Sequence, residues 1–294
     1  MKNIRYFIEY ILAIILFKFL QLFSFKISSN IGAFLGKNIM YFVGKILGEN
    51  IRGLRQISFA FPLKTIEEKR KILKASYESI GRFVAEYINQ HKINEAFLKE
   101  NVEVKNFEKV KNDIEKGCFL ITGHFGNWEI FQRYFGIYGP NLYVVYNPLK
   151  NPYINKLYLK QRLAIQIPKG DSAIRALLES VKAKKTIGIL IDQRDKTGEI
   201  FYFFNQEART STAIQRLSVK YNYKIIPVIC YRKKDNPNKF VMKFFDPLET
   251  QEGTMEEQIK LLTQESISVL ESFIKENPNA WLLWSYPRWR TEFK

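Results

Sequence analysis

Between residues 105 and 250 the sequence alternates short apolar runs with longer amphipathic stretches, and this alternation constrains the fold more than any other feature. "CFLIT", "NLYVVY", "IGILI", "KIIPVIC" and "KFVMKFF" read as strands, with helices predicted near 128–138, 152–162, 171–184 and 209–221. Strands and helices in alternation predict an α/β fold with a central mixed, largely parallel sheet flanked by helices. A last helix is expected near 254–276, ahead of the aromatic and basic tail "WLLWSYPRWR". No internal repeat, low-complexity tract or long linker interrupts the pattern.

Upstream, "FPLKTIEEKRKILKASYESIGRFVAEYINQ" carries the entry signals of a helix. Thr65 and Glu68 have capping-box spacing and Pro62 stands just ahead. Ile72, Leu73, Tyr77, Ile80, Val84 and Tyr87 follow at helical spacing, and His91 closes the segment as a solvated or capping residue.

The first 60 residues differ in composition. "IRYFIEYILAIILFKFLQLF" is strongly apolar, but Glu9 and Lys18 leave only the uncharged run Tyr10 to Phe17 between them. That is short of the roughly 18 apolar residues of a spanning helix. At about 100° per residue the two charges lie on opposite sides, so the segment is not a clean amphipathic stripe either. Both sit near the ends of the apolar block, where they can snorkel. The expectation is an N-terminal hydrophobic membrane-associating helix, either spanning or lying in the surface; the bland alternative is a buried helix. No small-residue cleavage site follows. Gly32 and Gly36, then Gly44 and Gly48, have a spacing that permits close helix packing. The expected organisation is a membrane-anchoring helical segment over 1–60 and an α/β domain over 61–294.

The net charge of +17, from 46 Lys and Arg against 29 Asp and Glu, favours anionic partners. The basic residues are dispersed and partly flank apolar anchors, and no nucleic-acid module is present, so nucleic acid is not expected. Cys118 and Cys230 lie far apart within apolar runs, as buried thiols of a reduced compartment would.

One of only two histidines, His124, falls in "ITGHFGNWE", directly after a predicted strand. Within one helix His124 and Glu129 would point about 140° apart. They can cooperate if His124 ends a strand-to-helix turn and Asn127 caps a helix carrying Glu129 in its first turn. An imidazole oriented by a carboxylate is a general base, able to take a proton from a hydroxyl that attacks an acyl carbonyl. Backbone N–H groups at the helix start would receive the developing negative charge. The chain lacks a zinc ligand set, a G-x-S-x-G elbow, a phosphate loop and a dinucleotide fingerprint. Direct transfer and a purely structural His–Glu staple both remain open on spacing alone.

"GHFGNWE" resembles the H-x4-[DE] block of the lysophospholipid acyltransferase superfamily, and specifically its lauroyl and myristoyl acyltransferases of Gram-negative lipid A biosynthesis. "IRGLRQISFAFP", "YNPLKNPYINKLYLKQR", "IPKGDSAIRALL" and "IGILIDQRDKTGEIFYFFNQEARTSTA" resemble further blocks in family order, so the likeness runs nearly end to end. It implies that His124 and Glu129 are catalytic, with Glu129 holding the imidazole. The family's second-block Arg falls on Arg162 and its Asp-Gln pair on Asp192 and Gln193. Arg162 suits a substrate phosphate or the acyl oxyanion, against a surface ion pair as the bland reading, and Asn127 or Arg162 would join the backbone N–H groups in stabilising that oxyanion. Asp192 would position Arg162 or Arg194, or take a helix-capping or loop role. Arg209, at the start of an expected helix, would contact lipid phosphate. Two departures stand out: Phe203-Phe204-Asn205 replaces Phe-Phe-Gly, and Tyr286 and Pro287 replace the His and Arg of the terminal W-x-H-R-R-W. Trp281, Trp284, Tyr286 and Trp289, interleaved with Arg288 and Arg290, resemble an interfacial belt, or else pack on the core.

The implied activity is transfer of a fatty acyl chain from acyl carrier protein to a hydroxyl of a lipid A precursor, late in lipopolysaccharide biosynthesis. The acyl-carrier-protein thioester would be a cosubstrate, with no metal or other cofactor. Acyl carrier protein, a phosphorylated glycolipid acceptor and the anionic lipids of the inner membrane, met at its cytoplasmic face, are the expected partners. Alternatives are an acyltransferase using another lysolipid or glycolipid, and a non-catalytic lipid-binding protein.

Overall fold

The computed structural model describes residues 2–170, 173–250 and 252–289. Strands β1 (Val102–Lys105), β2 (Phe119–Thr122), β3 (Leu142–Tyr146), β4 (Ile165–Pro168), β5 (Thr186–Leu190), β8 (Ile225–Arg232) and β9 (Phe240–Phe244) form one sheet, and β6 (Glu199–Phe203) and β7 (Gln206–Thr210) form a separate hairpin. The sheet order is β1-β9-β8-β2-β5-β3-β4. Every neighbouring pair is parallel except β8 and β9, so the sheet is mixed and mostly parallel, as the alternation predicts. All four residues of the central strand β2 are buried, as a parallel strand covered on both faces requires.

The helices are α1 (Lys2–Gln21), α2 (Phe25–Phe34), α3 (Tyr41–Ile46), α4 (Glu49–Ala60), α5 (Ile66–Ile88), α6 (Glu95–Asn101), α7 (Phe107–Lys116), α8 (Glu129–Tyr138), α9 (Pro152–Leu159), α10 (Ala173–Lys182), α11 (Ala213–Tyr221) and α12 (Met255–Glu276), with a π-helical stretch Leu35–Met40 after α2. The capping box at Thr65 is formed, and a second one at Thr254 starts α12. α5 buries Ile72, Leu73, Tyr77 and Tyr87 but leaves Val84 exposed.

Among the described residues no helix is long and apolar enough to cross a membrane. α1 lies against α9 instead: Asn151 Nδ2 donates to the Tyr6 carbonyl at 2.8 Å and to Glu9 Oε2 at 3.0 Å, and Tyr10 packs on Tyr153. The first glycine pair is used in helix packing, because a Cβ on Gly32 would stand 2.2 Å from the Gly81 carbonyl oxygen and one on Gly36 2.1 Å from that of Tyr77; in the second pair Gly48 has open space around it and instead takes a left-handed φ of 73° ahead of α4. The boundary expected near residue 60 falls within a continuous core, where Ile57 of α4, Leu73 and Tyr77 of α5, Phe125, Phe203 and Trp284 share one cluster.

Among the strands, β1, β4 and the β6–β7 hairpin escape the sequence reading, and so do the helices α6 and α7. Arg209 accordingly lies on β7, not at a helix start, and α11 begins only at Ala213. Cys118 and Cys230 are free and buried; burial pushes the Cys230 thiol up to about 12.

Candidate active site

The register of two strands builds the site. Thr122 of β2 pairs with Leu190 of the adjacent parallel strand β5. Two residues further along each strand stand His124 and Asp192, so the two emerge side by side at the C-terminal edge of the sheet, where sites of α/β folds gather. Asp192 Oδ1 lies 2.8 Å from His124 Nδ1, while Oδ2 accepts the His124 backbone N–H at 2.7 Å and the Trp281 indole N–H at 2.8 Å. The turn needs glycine at 123, since a Cβ there would lie 2.7 Å from the Phe125 ring and 3.0 Å from Asp192 Oδ2.

Asp192 has a fully buried side chain, and that of His124 is 16% exposed. Burial alone would raise the Asp192 carboxyl, but the His124 charge and the hydrogen bonds from His124 and Trp281 outweigh it and hold the group below its ordinary range. With Nδ1 held by the carboxylate, Nε2 is the nitrogen left for chemistry. One edge of the imidazole meets Trp128 at a ring-centroid distance of 4.7 Å, and Trp128 stacks on Phe83 at 3.9 Å.

Glu129 does not hold the imidazole. It points into a second, buried cluster where it pairs with Arg162, accepts Gln132 Nε2 at 2.9 Å and accepts the Tyr158 hydroxyl at 3.3 Å. His124 stands on the strand side of the turn and Glu129 opens α8 on the other, so the two side chains reach different partners. Asn127 is buried as well: it stands one residue ahead of the N-cap, which is Trp128 and not Asn127 as expected, its Oδ1 accepts the Glu129 N–H at 3.1 Å, and its Nδ2 donates to Glu86 Oε2 at 2.9 Å. This commits the Asn127 amide to the fold and not to an oxyanion. The N–H groups of Phe125 and Gly126 are likewise engaged, by Gly123 and Ala280 carbonyls.

Residues 1–291 match the family described as bacterial lipid A biosynthesis acyltransferase. The chain belongs to that family. Over 186 residues it is 23% identical to a lipid A biosynthesis acyltransferase of Haemophilus influenzae, a stretch covering 62% of this chain and 60% of that protein's length. A 1-acyl-sn-glycerophosphate acyltransferase structure from Thermotoga maritima aligns at a TM-score of 0.36 and 15% identity, over 83% of this chain and 98% of its own.

In this lipid A acyltransferase family member the departures in sequence have local explanations. Phe204 and Asn205 form the two-residue turn of the β6–β7 hairpin with φ of 54° and 57°, and asparagine tolerates the left-handed conformation that glycine otherwise supplies. In the tail, Tyr286 is 40% exposed, whereas Trp281, Trp284, Arg288 and Trp289 are buried. The interfacial belt is therefore replaced by core packing; Arg290 lies outside the described residues. Arg288 donates to the Arg209 carbonyl and to Thr210 Oγ1, both at 2.9 Å, and burial lowers its guanidinium to about 10.

Asp192 orients the histidine and not Arg162 or Arg194. The signal for this was present: "CFLIT" and "IGILI" are both followed closely by a polar residue, but which strands are neighbours is not written locally. Gln193 and Arg194 follow Asp192 as half-buried residues, and Arg194 Nε has no hydrogen-bond partner. Asp195 N–H donates to the Arg209 carbonyl at 3.2 Å, which brings the loop carrying Arg194 beside the strand carrying Arg209. Arg209 Nη1 donates to the Gly198 carbonyl at 2.9 Å. Glu86, which sequence reading passed over, is a fully buried carboxylate held by Ser29, Asn127 and Arg232.

Proposed function

We propose that the protein transfers a fatty acyl chain from an acyl-carrier-protein thioester to a hydroxyl of a phosphorylated lipid A precursor, with His124 as general base. The observation that carries this reading is the imidazole fixed through Nδ1 by buried Asp192. His124 Nε2 takes the acceptor hydroxyl proton as the oxygen attacks the thioester carbonyl. Asp192 stabilises the imidazolium so formed. Collapse of the tetrahedral oxyanion breaks the C–S bond, and the thiolate leaves with the proton returned by His124.

Arg194, Arg209 and Gln193 flank one loop beside Asp192 and suit the acceptor's phosphate, for which arginine's planar donor set is apt. The excess of positive charge favours both the acidic carrier protein and the glycolipid. At the other end of the chain, Phe7, Leu12, Ile15, Phe19, Leu22 and Phe42 are exposed apolar side chains, interspersed with Lys18, Lys26, Lys37 and Lys45. Such a surface suits the cytoplasmic face of the inner membrane, with helices lying in the interface.

The test is mass spectrometry of a phosphorylated lipid A precursor incubated in detergent with acyl carrier protein charged with mixed chain lengths. A gain of one acyl group with the wild type, falling by at least about 10² in rate in His124→Ala, is the expected result. Full turnover by His124→Ala would remove the base assignment, and failure of wild type on this acceptor but success on a lysophospholipid would change the substrate.

A further inference from the structure

The C-terminal segment forms part of the same turn that carries His124. Gly126 N–H donates to the Ala280 carbonyl at 3.1 Å and Leu282 N–H to the His124 carbonyl at 3.0 Å. These two bonds bracket Trp281, which faces Phe125 in an antiparallel bridge. The indole is completely buried. Trp284 and Trp289 give their indole N–H groups to the backbone carbonyls of Pro278 and Phe203, which is a packing role. Trp281 instead gives its indole N–H to a carboxylate, the one that orients His124.

We propose that Trp281 is a positioning residue for acyl transfer, acting on His124 through Asp192. This inference rests on the general-base reading. Asp192 Oδ2 is held from two sides, by the His124 backbone N–H at 2.7 Å and the indole at 2.8 Å, so the carboxylate cannot swing and Oδ1 stays directed at Nδ1. The indole bond also spreads the carboxylate's charge. Removing it leaves the carboxylate's charge to act more strongly on the imidazole side. The charged groups facing Asp192 are His124 and, from the tail, Arg288, whose own neighbour is Arg194. All of these remain when Trp281 is replaced by phenylalanine.

The experiment is the pH–rate profile of acyl transfer by the full-length protein in detergent, for wild type, Trp281→Phe and His124→Gln. Expected for Trp281→Phe is a kcat lowered about 10-fold, by analogy with the loss of an outer partner of a metal-bound imidazole, with KM little changed and the acidic limb moved to higher pH. A wild-type limb and kcat in a folded Trp281→Phe would overturn the proposal. Full turnover by His124→Gln would sink the general-base reading instead. Should Trp281→Phe fail to fold, the indole N–H resonances of the wild type decide. The chain has four tryptophans and two histidines. One indole signal should step with pH in wild type and stay put in His124→Gln, and no step in any of them would overturn the proposal.

Discussion

Glu129 and Arg162 form an ion pair in which the carboxylate side chain is fully buried and the guanidinium is 3% exposed. Arg162 also donates to Gln166 Oε1 at 2.6 Å and lies over the Tyr158 ring at 4.3 Å. Burial, the largest single influence, would lower the Arg162 guanidinium, yet the charge and hydrogen bond of Glu129 together with the neighbouring Tyr158 and Tyr87 hydroxyls outweigh it and leave it raised. Such a pair is worth little compared with a well-packed apolar replacement, but removing one member strands the other. Arg162→Ala should therefore destabilise the fold by about 3–5 kcal/mol, read from urea unfolding. Arg162→Lys, which keeps the charge but loses the fork, should fall between it and wild type. An unchanged midpoint in Arg162→Ala would show that the ion pair does not hold this cluster together.

Asp192→Asn keeps the shape of the carboxylate while removing its charge and favouring the wrong imidazole tautomer. By analogy with other oriented histidines, acyl transfer should fall by about 10⁴. The same substitution has a signature in stability. Because the folded-state Asp192 carboxyl lies below its ordinary range, its ionised form stabilises the fold fully above the unfolded pKa of about 3.9, and that contribution is lost as pH falls through the folded value. Melting temperatures of the two proteins should differ most above pH 5 and draw together as the pH falls below about 4. Parallel curves would deny the depressed carboxyl.

What could be read from the sequence follows the range of the interactions involved. Each strand with a continuous apolar run was legible, as was α5, because Thr65, Glu68 and the periodic apolar residues are local signals. The β6–β7 hairpin was not: its turn is Phe204-Asn205 in place of a glycine turn, and its register depends on packing under α12. His124 was legible as the reactive group because glycines and a polar helix start surround it. Its partner was not, because Asp192 is brought to it by the pairing of β2 with β5, 68 residues later. The nearby Glu129 satisfied the spacing but not the direction. The tail was ambiguous for the same reason, since tryptophans and arginines look alike at an interface and in a core until Asp192 takes the Trp281 indole and Thr210 the Arg288 guanidinium.

Gly81 sits where α5 crosses α2, and a Cβ built on it would lie 2.0 Å from the Gly32 carbonyl oxygen. Backbone cannot yield as a flexible side chain does, so Gly81→Ala must force the helices apart. The Ser29–Glu86 hydrogen bond on the same seam, 2.6 Å long, would stretch with them. A loss of about 1–3 kcal/mol is expected, seen as a lower thermal midpoint. The intrinsic helix preference of alanine acts in the opposite direction by roughly 1 kcal/mol. A more stable Gly81→Ala would mean that the two helices are not in contact in solution.

Leu12 and Ile15 are 63% and 60% exposed, three residues apart on α1 and so on one face of the helix. Their apolar atoms contribute little to the core, and if the N-terminal helices lie in a bilayer they are buried there instead. Burying a large aliphatic side chain is worth about 1.5–3 kcal/mol, so replacing both with asparagine should weaken partition onto vesicles of phosphatidylethanolamine and phosphatidylglycerol by at least about 10². The thermal midpoint in detergent should be unaffected. Raising the salt concentration should weaken wild-type binding only partly, because the lysine contribution is screened and the apolar one is not. A wild-type protein that stays in the aqueous fraction of a flotation gradient, or a double variant that floats as well as wild type, would place these side chains against something other than lipid.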